Sequence, residues 1–514
     1  GVVGGTLIAD TLASSAHGDG GTGSTGNGGD GTGGEASLNV DGSATVAAVN
    51  FASNGRGGGS STGNGGVGRG GLAAIGVVAG AEFNATGDVD LTSYADGGAG
   101  EIGGDAFAGT ASVEVGEEAT ASLAAVFLAA SAEGGDGNQL GGEALGGSAQ
   151  IVLSGGNLTA SGPVNILASG SGGRGQSGGS GGDGYGGIAG VIVSRGDAGF
   201  DQSLAIVADG EGGDANGPGG DGGDGYGGAA VLLVQGDALR AASMSVQGTL
   251  DMFVSGAGGD GGAGDGDQNA AGAGGTGRGG RNDFASLVDS GQGTGSYINV
   301  NADYGQLLVA GATSVYSIGL GGSGGDAPIG AVGGPGGAAF GGDVFVGVFD
   351  PVDGGPRLGS AAFGDLAAFS FALGGTGGVD GEEILTGIGG EAQGGAILVA
   401  SRGGMLTADN ITLTDYAQGG GGAIGGDGFG GQAGMVTSDG GMIEVGDYSA
   451  TAFGYGGLGQ TAGGDGLGGT AFIGLQGGST TVSGAADVDA SGFGGQSIDG
   501  DGGDGTGGSA DIAI

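Results

Sequence analysis

The chain has no cysteine, no tryptophan and no lysine, one histidine, six prolines and nine basic residues, all of them arginine. Each shortage removes a class of chemistry. Without Cys there is no disulfide framework, thiol nucleophile or thiolate metal site, although this alone does not decide the compartment. Without Lys, Schiff-base chemistry is lost as well. His17 lies in a glycine tract without a partner, so it reads as solvent-exposed and not as a catalytic base. Aromatics make up 5% of the residues, too few for one thick globular centre. No apolar run reaches the roughly 18 residues of a membrane span; the longest candidate lies around 121–132. Nine arginines against 55 acidic residues leave a formal net charge of −46, which argues against nucleic acid and against membrane insertion or anionic membranes as partners. Such a chain repels itself unless salt or divalent cations screen it, which suits a marine, halophilic or calcium-containing extracellular setting. It opens with neither Met nor a basic signal segment, so a mature or trimmed product is expected.

What is abundant is glycine, 153 of 514 residues, and it is organised. A strict glycine at every third position throughout is absent, which excludes collagen. Instead a seven-residue signature, Gly-Gly-x-[Gly/Ala]-x-[Gly/Ala]-Gly, occurs twelve times, with third positions at Asp30, Val67, Asp105, Glu143, Asp183, Asp224, Thr276, Ala338, Glu391, Asp427, Asp465 and Asp504. The steps are 37, 38, 38, 40, 41, 52, 62, 53, 36, 38 and 39 residues. One supersecondary unit of about 38 residues is therefore stacked on itself, with insertions in the units around 276–391, and residues 1–514 form a single continuous domain.

Within a unit the apolar residues alternate with period two. The fourth unit runs Ser148–Ser154, a Gly155-Gly156 corner, Asn157–Ala160, then 163–169; the eleventh repeats the plan from Thr470. In the third run Val89 and Leu91, Val164 and Ile166, and Ile411 and Leu413 share one face, while Asp88, Asp90, Asn165, Asn410 and Thr412 share the other. Each unit thus offers about three short strands that must stack on their neighbours to satisfy their backbone. The expected fold is all-β, a right-handed parallel β-solenoid of about 12 coils rising about 4.8 Å per coil, roughly 60 Å in length.

The rest of each unit is a tract such as 219–228, in which a non-glycine recurs every third residue. Period three is the repeat of the polyproline II helix, so the tracts are expected to form glycine arms of polyproline or polyglycine II type stacked beside the β-core, in preference to mobile loops. The chain ends on a first strand, 509–514, and starts near the end of one; joined tail to head the two nearly complete a unit, and neither end has a polar cap. A window from a longer array, or a subunit whose ends meet those of its neighbours, is expected.

These alternating strands and corners, and phrases such as the one at 403–414, resemble the giant bacterial surface adhesins of the filamentous-haemagglutinin type. That resemblance implies a right-handed parallel β-helix, secretion and a role in adhesion or biofilm. The glycine tracts instead resemble polyglycine II bundles, as in a glycine-rich snow-flea antifreeze protein and the adhesin tips of phage tail fibres. Those families lack the long alternating strands, and no secretion domain of the adhesin family is visible.

Stacking converts sequence positions into ladders. The acidic third positions Asp30, Asp105, Glu143, Asp183, Asp224, Glu391, Asp427, Asp465 and Asp504 would stand about 4.8 Å apart, so they face open water, raise their pKa values or bind cations. Calcium is the natural candidate, with glycine carbonyls as further ligands; solvated turn Asp is the equal alternative. The fifth position carries the bulkier Phe107, Leu145, Tyr185, Tyr226, Phe340, Phe429 and Leu467, with Arg69, Arg278 and Gln393 between them. Packing of arm onto core is the preferred role, and a strip for carbohydrate or a solid surface is the other. Catalysis finds little support: paired carboxylates such as Asp88 with Asp90 and Asp487 with Asp489 are many and none is singled out. Sequons at Asn84, Asn157 and Asn410 are explained by chance, and glycine-rich phosphate loops by composition.

The function expected is a secreted structural or adhesive protein of an extracellular filament, surface fibre or biofilm matrix, extracellular or at a bacterial cell surface, and not an enzyme. Its partners would be copies of itself, end to end or side by side, and a polysaccharide or solid surface. The alternatives are an ice- or polysaccharide-binding solenoid, which needs a flat Thr or aromatic array, and a β-helical carbohydrate-active enzyme.

Overall fold

The computed structural model describes residues 2–236, 240–265, 270–280, 297–303, 305–349 and 359–513. Among them there is no helix, and the strands that stack from coil to coil pair in parallel. Parts of the inserted units, 281–296 and 350–358, lie outside the described residues.

The fourth coil shows how the repeat is built. Its three strands, Ser148–Ser154, Asn157–Ala160 and Val164–Leu167, each pair with the same strand of the fifth, placing Ile151 beside Val191, Leu158 beside Ala198 and Ile166 beside Ile206. Alternation decides which side chains point inward. Val89, Leu91, Val164, Ile166, Ile411 and Leu413 are all buried, as the period of two requires. The inward residues join into one core cluster running along the rod from Ala36 to Ala490. Each buried Leu or Ile side chain stabilises by roughly 1.5–3 kcal/mol, so a thin core suffices when it is repeated.

The corner after the first strand needs a left-handed residue. Glycine supplies it at Gly477 (φ 87°), while Arg195 (φ 57°) holds the same bend at a cost in strain. In several coils a corner interrupts the ladder to one neighbour at a single residue. Glu35–Ala52 pairs with Val2–Ser15 from Asn39 onward except at Ala47, and Met442–Tyr455 pairs with Met405–Gln418 except at Gly446, so each is one extended segment that covers two or three of the expected short strands.

The glycine arms are ordered by hydrogen bonds between limbs. An outgoing limb leaves after the third strand, and a returning limb comes back through the signature. In the returning triplet 222–224, the Gly222 N–H donates to the Ala273 carbonyl of the next coil and the Gly223 N–H donates across to Gly213 of the outgoing limb. The Asp224 N–H points away from both and donates to the Asp183 carboxylate. Three successive amides thus point in three directions, which is the physical content of the period of three.

The cross-limb bonds form an unbroken zigzag along the rod, from Gly503 through Gly495, Gly464 and Gly457 down to Gly29 and Gly21. A Cβ on Gly223 would lie 2.1 Å from the Gly182 oxygen, and one on Gly222 1.9 Å from the Gly259 oxygen. Two residues of each triplet are therefore glycine by close approach, and the third is free to vary. The fourth and fifth signature positions of all twelve copies pair into a separate 12-stranded parallel sheet, from Gly31–Thr32 to Gly505–Thr506.

Candidate functional site

The acidic ladder and the column beside it are where stacking concentrates chemistry. Asp30 accepts the Val67 N–H at 2.9 Å, Asp105 that of Glu143 at 3.1 Å, Asp183 that of Asp224 at 2.8 Å and Asp224 that of Thr276 at 2.7 Å. Asp427 and Asp465 do the same for Asp465 and Asp504, each at 2.7 Å. Each of these carboxylates satisfies the one amide in the next triplet that no limb can reach. The short Asp side chain suits this reach; among the described residues neither Glu143 nor Glu391 makes the bond. Charge-assisted bonds of this kind are worth about 1.5–3 kcal/mol when well formed, which outweighs the screened repulsion between neighbours along the ladder.

The same device operates on the outgoing limb, at positions the sequence reading did not single out. Asp136 accepts from Arg174 N–H, Asp214 from Asp260, Asp260 from Ser323 and Asp326 from Val379. The signal was present as the triplet Gly-Gly-Asp on both limbs. Partial burial, then its neighbours Asp105 and Asp183, pushes the Glu143 carboxyl above its ordinary value. Asp90 is raised likewise, first by burial and then by Asp88. Among the described residues no group of three or more His, Cys, Asp and Glu side chains stands close enough to hold a metal ion. An acidic groove of about 600 Å³ lies on the first coils, lined by Asp19, Asp96, Glu133 and Asp136 with Arg56 among them.

The fifth-position side chains Phe107, Tyr185, Tyr226, Phe340 and Phe429 are partly buried on the arm. The packing is done by the fourth position, where Ala106 and Ala144 close on Ala95 and Ala132, and Ala339 and Ala392 on Ala372 and Ala417. Small residues are needed there because the facing limbs are so close. Along the fifth-position column Tyr185 and Tyr226 stack at 4.7 Å and 2°, while Arg69 covers Phe107 at 4.6 Å and Arg278 covers Phe340 at 4.5 Å. The ring faces are thus largely taken by neighbours, and the ladder offers ring edges to solvent. Tyr185 and Tyr226 donate to Asp183 and Asp224 at 3.2 and 3.0 Å. Burial, and then the adjacent carboxylate, raises both phenols, Tyr226 to about 12.

A second ring ladder lies on the outer face of the third strands, from Tyr316 stacked on Phe369 at 4.8 Å to Tyr455 stacked on Phe493 at 4.5 Å. The alternating pattern placed these residues outward, but their contact depends on inter-coil register. Among the described residues one buried interior position carries a carboxylate: Asp415 is fully buried, and it accepts the Gly431 N–H at the junction of core and arm. His17 is exposed, as expected. No family model matches the chain, and comparison with curated proteins finds no match.

Proposed function

We propose that the chain is a secreted structural or adhesive protein, a rod that contributes to an extracellular filament, surface fibre or biofilm matrix at a bacterial cell surface. The observation that carries this reading is the continuous axial hydrogen bonding: strand ladders, the twelve-fold signature sheet and the glycine zigzag all run along the same direction. Tension along the rod is then borne by many backbone bonds in parallel. We read the limbs as polyglycine II, since each amide of a triplet bonds in a different direction. Among the described residues the strands Val2–Ser15 and Ser509–Ala513 each pair along one edge, leaving an edge of the kind that a further coil or a second copy covers.

Calcium enters the proposal as a bridge between rods. No single chain gathers three carboxylates at one point among the described residues, so a cation would be shared by acidic ladders of two neighbours. Lateral association would therefore require cations, and end-to-end association would not.

The test is cryo-electron imaging of the natively secreted material with calcium and after chelation. Filaments that separate into thinner ones on chelation support both parts. Filaments indifferent to chelation remove the calcium bridge, and isolated short rods under both conditions overturn the filament.

A further inference from the structure

We propose that a groove on coils eight to eleven binds a neutral polysaccharide chain by stacking a sugar ring on Phe472. This site goes beyond the filament reading and would function on a single rod. The groove, of about 680 Å³ and open to solvent, lies between the returning limb of the arm and the outer face of the first strands. Phe340 forms part of its arm wall and Phe472 part of its sheet wall, with Asp343 and the amides of Gln393, Gln432 and Gln476 around them.

Phe472 differs from the ladder rings. It is paired in register with Gly434, inside the Gln432–Ser438 strand, where glycine is otherwise unfavourable. A Cβ on Gly434 would lie 2.5, 2.5 and 2.6 Å from three consecutive ring carbons, Cε1, Cζ and Cδ1. Near-equal distances to adjacent ring atoms mean that the glycine lies under the face of the ring, not at its edge. The missing side chain lets Phe472 lie down on the sheet with its opposite face turned outward. Among the described residues no other ring stacks on it, whereas Tyr185 and Tyr226 cover each other. A free aromatic face parallel to the surface is what the apolar face of a pyranose requires.

The surrounding polar groups select the class of ligand. The side-chain amides of Gln393, Gln432 and Gln476 are exposed and make no hydrogen bond among the described residues. An amide both donates and accepts, which matches hydroxyl groups of either orientation. A purely apolar ligand would leave these amides unmatched. An anionic ligand would approach a chain of net charge −46. A neutral sugar meets both constraints, and the open ends of the groove admit an internal stretch of a chain.

The experiment is calorimetric titration of the full 514-residue chain with defined neutral hexasaccharides, namely cellohexaose, laminarihexaose and maltohexaose, with an oligogalacturonate as the anionic control. Binding of at least one neutral probe, and none of the anionic control, is expected. Phe472→Ala should weaken it about tenfold or more. Gly434→Ala provides the variant that keeps the fold: alanine loses less backbone entropy in a strand than glycine, and the new methyl displaces the Phe472 ring and no backbone atom. It should weaken binding comparably with an unchanged melting temperature. No binding by any neutral probe overturns the proposal. So does binding that survives Phe472→Ala and Gly434→Ala, since the site would then lie elsewhere. Absence of filaments in the imaging experiment does not bear on either result.

Discussion

Replacing Asp415 tests whether the core–arm junction holds a buried carboxyl. Asp415 occupies an inward position of the Met405–Gln418 strand, in register with Ser370 in the coil before and Ala452 in the coil after. The corresponding position is Ala130, Ala168 and Ala208 in earlier coils, all buried. Burial is the main reason its carboxyl is raised from 3.8 to about 8; the Gly431 N–H, the Ser370 hydroxyl and the Gly395 N–H partly oppose the rise, and Asp343 adds to it. The folded chain therefore keeps a proton that the unfolded chain releases near pH 3.8, and it binds more protons across the window from 3.8 to about 8. Stability contributed at this position falls as pH rises through that window and is fully lost above it. A shift of this size corresponds to a ceiling on the order of 5 kcal/mol. Asp415→Asn keeps an acceptor for Gly431 and removes the charge. Urea unfolding should find the variant within about 2 kcal/mol of the parent at pH 5 and more stable by several more at pH 9. Hydrogen exchange adds a local readout, with Gly431 protected at pH 9 in the variant and less so in the parent. Equal stability differences at the two pH values would refute the argument.

Other substitutions separate the roles of the arms. Asp183→Ala removes the acceptor of the Asp224 N–H and should cost about 1–3 kcal/mol in urea unfolding, while Asp183→Asn, which keeps an acceptor, should cost less than half of that; if Asn proves as harmful as Ala, the carboxylate serves something other than the amide. Gly135→Ala places a Cβ 2.2 Å from the rigid Gly98 carbonyl and should destabilise by about 3 kcal/mol, with proteolysis opening the arm first. In an ultraviolet alkaline titration Tyr226 should ionise at about pH 12, and stability present below pH 10 should decline as its phenol titrates; ionisation near pH 10 would mean that the ring column is not formed. Deleting Ser323 alone shifts Asp326 into the place of Gly325, where a Cβ meets the Gly262 oxygen at 1.9 Å. Removing 323–325 together with 334–336 shortens both limbs by one triplet and should leave the melting temperature closer to the parent than the single deletion does.

The strands were legible because alternation and burial are the same fact seen from two sides: Val89, Leu91, Val164 and Ile166 had only one face on which to bury. The twelve-fold ladder was legible from the signature, whose fourth and fifth positions are the residues that pair. What escaped the reading depends on register between coils. That Asp183 accepts from Asp224 follows from a separation of 41 residues in the chain and one coil in space. The flat ring of Phe472 likewise requires Gly434, a coil away, beneath it. Asp415 could have been found, since Ile411, Leu413, Asp415 and Ala417 share one face and an acid in that series breaks the pattern. At the signature, alternation across a two-residue strand lets either residue point inward, and the closeness of the limbs decides for the small fourth-position alanines.

The period of three also explains how the arms of the central units lengthen without losing register. A second zigzag of cross-limb bonds runs outside the first, from Gly387 through Gly378, Gly334, Gly325, Gly272 and Gly262 to Gly220. Each of its glycines from Gly262 onward stands three residues from one in the inner zigzag: Gly262 from Gly259, Gly272 from Gly275, Gly325 from Gly322, Gly334 from Gly337. Extra arm length is added there as whole triplets on both limbs, so every amide keeps its direction and every outward position remains outward. Meanwhile the short strands at Gly225, Gly277 and Ala339 pair as though no insertion existed. An arm built this way varies in reach while the β-core is held fixed, and its free third positions keep charged and polar groups on the surface. The acidic excess of the chain follows in part from this geometry: each triplet turns one amide outward, and an Asp one coil earlier is the shortest anionic side chain able to meet it.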